Sequence, residues 1–191
     1  MNLPNGLTVA RLFLGPVILA CLLAGQTAAA FYLFLAAMVT DLYDGYLARR
    51  SHSVTEFGKL MDPLADKVLV SLSLVGFVLI DVPFIGVWMV ASIVGRELLI
   101  LGWRTGAVKS GGGFVTSRMA KWKTAVQMAW VALVLLYLVV LSYAGVAPAE
   151  AEGGVGGVFL WVLGLATVIL TLLSGAEYLL NGRHRAEEAS P

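Results

Sequence analysis

The sequence is 191 residues long, 59% hydrophobic and only 13% charged, whereas a soluble domain carries about 25% charged residues. So little charge excludes a water-exposed globular domain, and a formal net charge of +1 excludes a nucleic-acid binder working through a broad positive field. The apolar residues fall into runs close to the ~20 residues that cross a bilayer, which predicts an all-α integral membrane protein.

Six transmembrane helices are predicted. The opening stretch Asn2-Leu3-Pro4-Asn5-Gly6-Leu7-Thr8 is expected to include a short interfacial segment. The first span runs over Leu7–Leu23 and carries Arg11 inside its apolar run. No basic residue precedes Arg11, so this stretch lacks the charged lead of a cleaved signal peptide and is expected to be retained. The single cysteine, Cys21, rules out an intrachain disulfide and reads as a packing residue. The second span is predicted over Ala28–Leu47 and the third over Lys59–Ile80, with a break at Asp81-Val82-Pro83. The fourth follows over Phe84–Trp103, the fifth over Met119–Tyr143 and the sixth over Val155–Leu180. Gly111-Gly112-Gly113 lies in the loop after the fourth span, and Gly145–Gly157 forms a longer loop before the sixth. Residues 1–182 are expected to form one six-helix membrane domain and 183–191 a short cytoplasmic tail.

Orientation follows from the basic residues. Arg49, Arg50, Lys59, Arg104, Lys109, Arg118, Lys121, Lys123, Arg183 and Arg185 belong to one set of loops and span ends. The opposite loops, around Gln26, Asp81 and Glu150, contain no Lys or Arg. The positive-inside rule then places both termini on the cytoplasmic side of a multi-pass cell-membrane protein. Trp88, Trp103, Trp122 and Trp161 fall near span ends and read as interface anchors.

Four carboxylates stand where the second and third spans meet the cytoplasm. Asp41 and Asp44 are three residues apart and Asp62 and Asp66 four apart, so each pair shares one helix face. The short connection makes the two helices expected antiparallel neighbours with all four carboxylates converging. An ionised carboxylate near hydrocarbon costs on the order of 2–3 kcal/mol. A divalent cation with a preference for hard oxygen ligands, such as Mg²⁺, Mn²⁺ or Ca²⁺, is the natural compensation. His52 and His184 are isolated in basic loops, so no zinc cluster is expected. Gly45 and Ala48 would let a nucleotide approach the backbone, although the same small residues also serve helix packing. Arg49 is placed to pair with a phosphate oxygen. Thr55 can add a hydroxyl, and Gly58 allows the turn into the third span.

These residues carry a resemblance. The pattern D-x2-D-G-x2-A-R-x8-G-x3-D-x3-D of the CDP-alcohol phosphotransferases is matched at every fixed position by Asp41, Asp44, Gly45, Ala48, Arg49, Gly58, Asp62 and Asp66. The resemblance implies the six-helix, homodimeric fold of that family, with the active site at the cytosolic surface. It implies a Mg²⁺ or Mn²⁺ site on Asp41, Asp44, Asp62 and Asp66, with Asp66 as general base. It also implies contacts to a CDP-linked lipid, CDP-diacylglycerol, from Asn5, Thr8, Gly45, Ala48, Arg49, Thr55 and Gly58. The expected reaction is attack of an alcohol on the lipid-side phosphorus of the diphosphate, with CMP leaving.

The rest of the chain bears on the alcohol. A phosphorylated acceptor needs cations, and the candidates are Arg96, Arg104, Lys109, Arg118, Lys121 and Lys123, with Tyr178 facing the pocket. Arg96-Glu97 lies well inside the fourth span, where an ionised pair is functional or an internal salt bridge that orients helices. The stretches Pro4–Arg11, Gly58–Lys67, Arg96-Glu97 and Lys121–Met128 resemble the phosphatidylglycerophosphate-forming branch of the family, which implies glycerol 3-phosphate. Ala120, where that branch usually has Gly, and the glycine-rich loop around Gly112 depart from it. Alternatives are same-fold enzymes that form phosphatidylinositol phosphate or cardiolipin. A cation or proton transporter would spread its carboxylates across the membrane depth, and these cluster at one face.

Overall fold

A backbone surrounded by hydrocarbon has no water to bond, so apolar runs of this length satisfy their N–H and C=O groups within helices. A computed structural model describes residues 3–51, 56–109, 118–150 and 154–188, with side chains described over 9–41, 64–102, 122–150 and 154–177. Over these residues the chain forms α1 (Leu3–Leu23), α2 (Thr27–Ser51), α3 (Glu56–Leu79), α4 (Val87–Lys109), α5 (Arg118–Tyr143) and α6 (Val155–Glu188), with a 3-10 turn at Pro148–Glu150. The described residues contain no strand.

Several boundaries differ from expectation, and three of them have a plain physical reading. α1 begins at Leu3 and continues unbroken through the stretch expected at the interface, because Pro4 falls in the first turn where a missing N–H has no intrahelical partner to lose. α4 begins at Val87 instead of Phe84, since Ile85 N–H bonds Val82 C=O at 3.0 Å in a turn that buries Phe84 and Ile85. α6 continues through Glu188, so residues 183–188 of the expected tail are helical.

The ends of α1, α3 and α5 are closed alike. Gly25, Asp81 and Gly145 adopt positive φ of 71°, 55° and 71°. The following residue reaches back in each case: Gln26 N–H to Cys21 C=O at 2.8 Å, Val82 to Phe77 at 3.1 Å, and Val146 to Leu141 at 3.0 Å. These are Schellman caps, which use carbonyls that the helix end leaves unpaired.

Small residues set the packing. α1 packs most extensively on α3 and also on α2; α2 further meets α5, and α6 packs on both α4 and α5. On the α1–α3 seam, a Cβ added at Gly15 would lie 3.3 Å from the Leu69 Cα, and one at Gly76 only 2.6 Å from Leu22 Cδ1. Among the described residues α2 and α3 are joined through α1 and α5, each of which packs on both; the ends of α2 and α3 where direct contact is expected have side chains outside those described. A short connection brings two helix ends together without dictating contact along their lengths. At the other corner, buried Trp130 of α5 donates its indole N–H to Leu160 C=O of α6 at 2.9 Å.

Two stretches, Trp122–Tyr143 and Val155–Glu177, are long and apolar enough to cross a membrane; Val9–Leu23 and Thr27–Asp41 are shorter apolar stretches. Large apolar side chains point outward on several helices, among them Phe13, Leu99, Phe159, Ile169 and Leu172. An outward apolar surface of this extent suits lipid and not water.

Candidate active site

The close α1–α3 seam brings a buried cation to the carboxylates. Arg11 of α1 is 2% exposed, and its Nη1 donates to Asp41 Oδ1 of α2 at 2.6 Å. The same nitrogen lies 3.9 Å from Asp66 Oδ1 of α3. Carboxylates from two helices therefore converge on one guanidinium nitrogen supplied by a third. The two acids retain 34% and 26% side-chain exposure, so water and solutes reach them. Arg11 is beyond what spacing rules single out. Its signal is its position: an arginine inside an apolar span requires an anionic partner at the same depth.

α2 remains helical past Asp44, Gly45, Ala48 and Arg49, and α3 is helical from before Gly58 and Asp62. Asp44 thus follows Asp41 by about one turn, and Asp62 precedes Asp66 by about one turn. The side chains of these residues, and of Asn5 and Thr8 in the first turns of α1, lie outside those described; Thr55 lies outside the described residues altogether. The two described carboxylates fit a hard divalent cation: both are oxygen donors, both are partly exposed, and they come from separate helices.

A second charged cluster lies beside the first. Glu97 of α4 is 6% exposed. Its Oε2 accepts from Lys67 Nζ of α3 at 2.6 Å, and its Oε1 accepts from Arg96 Nη1 at 3.1 Å and from Lys123 Nζ of α5. Lys67 also donates to the Glu97 backbone carbonyl at 3.2 Å. Arg96 Nη2 donates to Ser174 Oγ of α6 at 2.9 Å, and Ser174 in turn donates to Thr171 C=O at 3.0 Å. The structure thus brings Arg96 and Lys123 together on one carboxylate. Arg104 and Lys109 lie in α4, Arg118 and Lys121 in α5 and Tyr178 in α6, with side chains outside those described. Lys67 and Ser174 are additions to the sequence candidates. The position of Lys67 directly after Asp66 was the available signal; for a serine in an apolar helix there was none. The Arg96–Glu97 ion pair does occur, but it lies within α4; the ion pairs joining helices are those of Lys67 and Lys123 to Glu97.

An all-helical chain with an outward apolar surface, converging carboxylates and an adjoining cluster of cations around a buried glutamate defines a class: lipid-facing enzymes that handle a charged, phosphate-bearing group. The comparison with known families narrows it. The chain belongs to the CDP-alcohol phosphatidyltransferases, whose family model matches residues 1–173, and it is accordingly a transferase. It is similar to the CDP-diacylglycerol–glycerol-3-phosphate 3-phosphatidyltransferase of Bacillus subtilis, 34% identical with 93% of each chain covered. The protein of the same name in Rickettsia typhi is 34% identical over 93% of this chain and 94% of its own. A probable phosphatidylglycerophosphate synthase of Mycobacterium tuberculosis is 34% identical over 93% of this chain and 80% of its own.

Proposed function

We propose that the chain transfers the phosphatidyl group of CDP-diacylglycerol to glycerol 3-phosphate, releasing phosphatidylglycerol phosphate and CMP. The observation that carries this reading is that consecutive residues of α3 reach two different sites. Asp66 stands with Asp41 at the carboxylate site, and Lys67 joins Arg96 and Lys123 on Glu97. One site suits a diphosphate donor and its neighbour suits a phosphate on the acceptor. The names of the relatives, at 34% identity over 93% of the chain, support the same substrates.

In this reading Asp66 accepts the proton of the acceptor hydroxyl as its oxygen attacks the lipid-side phosphorus. The phosphorus–oxygen bond to CMP then breaks, and CMP leaves with the bonding electron pair. Asp41, Asp44, Asp62 and Asp66 would hold the divalent metal, Mg²⁺ or Mn²⁺, which when bound neutralises charge developing on the diphosphate. Asn5, Thr8, Gly45, Ala48, Arg49, Thr55 and Gly58 take the CDP-lipid. Arg96 and Lys123 bind the acceptor phosphate, together with Arg104, Lys109, Arg118, Lys121 and Tyr178. All six helices span the cell membrane in a homodimer, with both termini and the site on the cytoplasmic side.

The test is an assay of purified enzyme with CDP-diacylglycerol and each of three acceptors: labelled glycerol 3-phosphate, inositol phosphate and phosphatidylglycerol. Glycerol 3-phosphate is expected to be consumed with release of CMP. Turnover of inositol phosphate alone, or of phosphatidylglycerol alone, would reassign the acceptor.

A further inference from the structure

We infer that Glu97 is a positioning residue that assembles the acceptor pocket, drawing Lys67, Arg96 and Lys123 from three helices into one cluster preset for a phosphomonoester. This rests on the proposed acceptor chemistry and adds to it a residue that is itself an anion and would not touch the phosphate.

Three cations brought together repel one another, and long lysine stems have many rotamers to lose. A phosphate that had to gather them unaided would bind weakly, because the ordering would subtract from its affinity. Glu97 does the gathering in advance. Both of its carboxylate oxygens are engaged, Oε2 by Lys67 and Oε1 by Arg96 and Lys123, and its backbone carbonyl holds Lys67 a second time. α6 completes the frame: Ser174 accepts from Arg96. A Cβ at Gly175 would lie 3.3 Å from both Cγ and Nε of Arg96, so the α6 backbone abuts that stem.

The exposure of the three cations gives the pocket a direction. Side-chain exposure falls from 22% at Lys67 through 12% at Arg96 to 4% at Lys123. The cluster therefore opens on its α3 side, where Asp66 is the preceding residue. A phosphate entering there leaves the rest of a small alcohol beside the proposed base. A single counter-ion would satisfy Glu97; three cations from three helices, opening toward the carboxylate site, suit recruitment of an anion better than helix pinning.

The experiment uses full-length enzyme in detergent with CDP-diacylglycerol. Glu97→Gln is expected to raise KM for glycerol 3-phosphate by about tenfold or more, while KM for CDP-diacylglycerol and the affinity for CMP stay within about twofold. Glu97→Asp recovers part of the loss. Ser174→Ala, a milder change that loosens only Arg96, raises the same KM by about threefold. Inorganic phosphate is the second probe: its inhibition constant against the acceptor rises in parallel in Glu97→Gln. An unchanged KM in both Glu97→Gln and Ser174→Ala overturns the inference, as does a lower KM, which would mean that net positive charge outweighs positioning. A rise in acceptor KM in Ser174→Ala that is matched by equal losses of CMP affinity and by a lower melting temperature assigns the cluster to stability alone and also overturns it. If the wild type prefers a different phosphorylated alcohol, the proposed acceptor falls, while a Glu97-dependent phosphate inhibition still supports the positioning role. Wild type that inorganic phosphate does not inhibit refutes the role itself.

Discussion

Cutting the Arg11–Asp41 pair from its two sides should give unequal results. Asp41→Asn leaves a guanidinium that is 2% exposed, and Arg11→Met leaves a carboxylate with 34% of its side chain still in contact with solvent. Removing one partner of a fully buried pair costs about 3–5 kcal/mol, whereas an exposed pair contributes about 0.2–1 kcal/mol. Arg11→Met strands the better hydrated group and is expected to cost about 1–2 kcal/mol. Asp41→Asn removes the carboxylate at 2.6 Å from the buried group, while Asp66, 3.9 Å from the same nitrogen, supplies part of the lost attraction. About 2–3 kcal/mol follows for that variant. The double variant Arg11→Met/Asp41→Asn leaves neither charge of the pair uncompensated, so its cost should fall below the sum of the singles by about 1–2 kcal/mol. The assay is a double-mutant cycle of unfolding free energies in detergent with EDTA present, so that metal binding does not add to stability. Additivity within about 0.5 kcal/mol, or a larger cost for Arg11→Met, would refute the assignment of Arg11 as the buried counter-ion of the site.

Asp66→Asn should abolish turnover and leave CMP binding largely intact; activity close to wild type would remove Asp66 as the base. Treatment with EDTA should stop the reaction and added Mg²⁺ or Mn²⁺ restore it, measured as CMP release; undiminished turnover in EDTA would refute the metal requirement. Gly164→Ala should destabilise by about 1–3 kcal/mol, because its Cβ would meet Trp130 Cζ2 at 2.6 Å and Met89 Cε at 2.7 Å. Gly95→Ala, where nothing lies within 4 Å, should be neutral or stabilising by up to about 1 kcal/mol, and melting curves of the two variants separate the cases. Asp81→Gly should raise the melting temperature, since the left-handed φ of 55° costs an L-residue roughly 1–2 kcal/mol; a fall would mean that the aspartate side chain holds the cap.

Much of this protein was legible along the chain. Apolar runs near bilayer length located all six helices, and only their ends moved. Pro4 could begin a helix as readily as precede one, and the turn at Phe84–Gly86 depends on burial of Phe84 and Ile85. The carboxylate spacing was equally readable, because the intervals Asp41–Asp44 and Asp62–Asp66 are local helical intervals that need no knowledge of neighbours. Partners across helices were not readable. Nothing local says that Arg11 meets Asp41, that α1 packs on both α2 and α3, or that Lys67, Arg96 and Lys123 share Glu97. Those contacts depend on how closely backbones approach, which Gly15 and Gly76 permit on the α1–α3 seam and Gly164 and Gly175 on the faces of α6. The sequence by itself determined which groups are present, on which helix and at what turn. The tertiary structure alone decided which of them meet, because opposite charges in a membrane pair across whatever interfaces small residues allow to close.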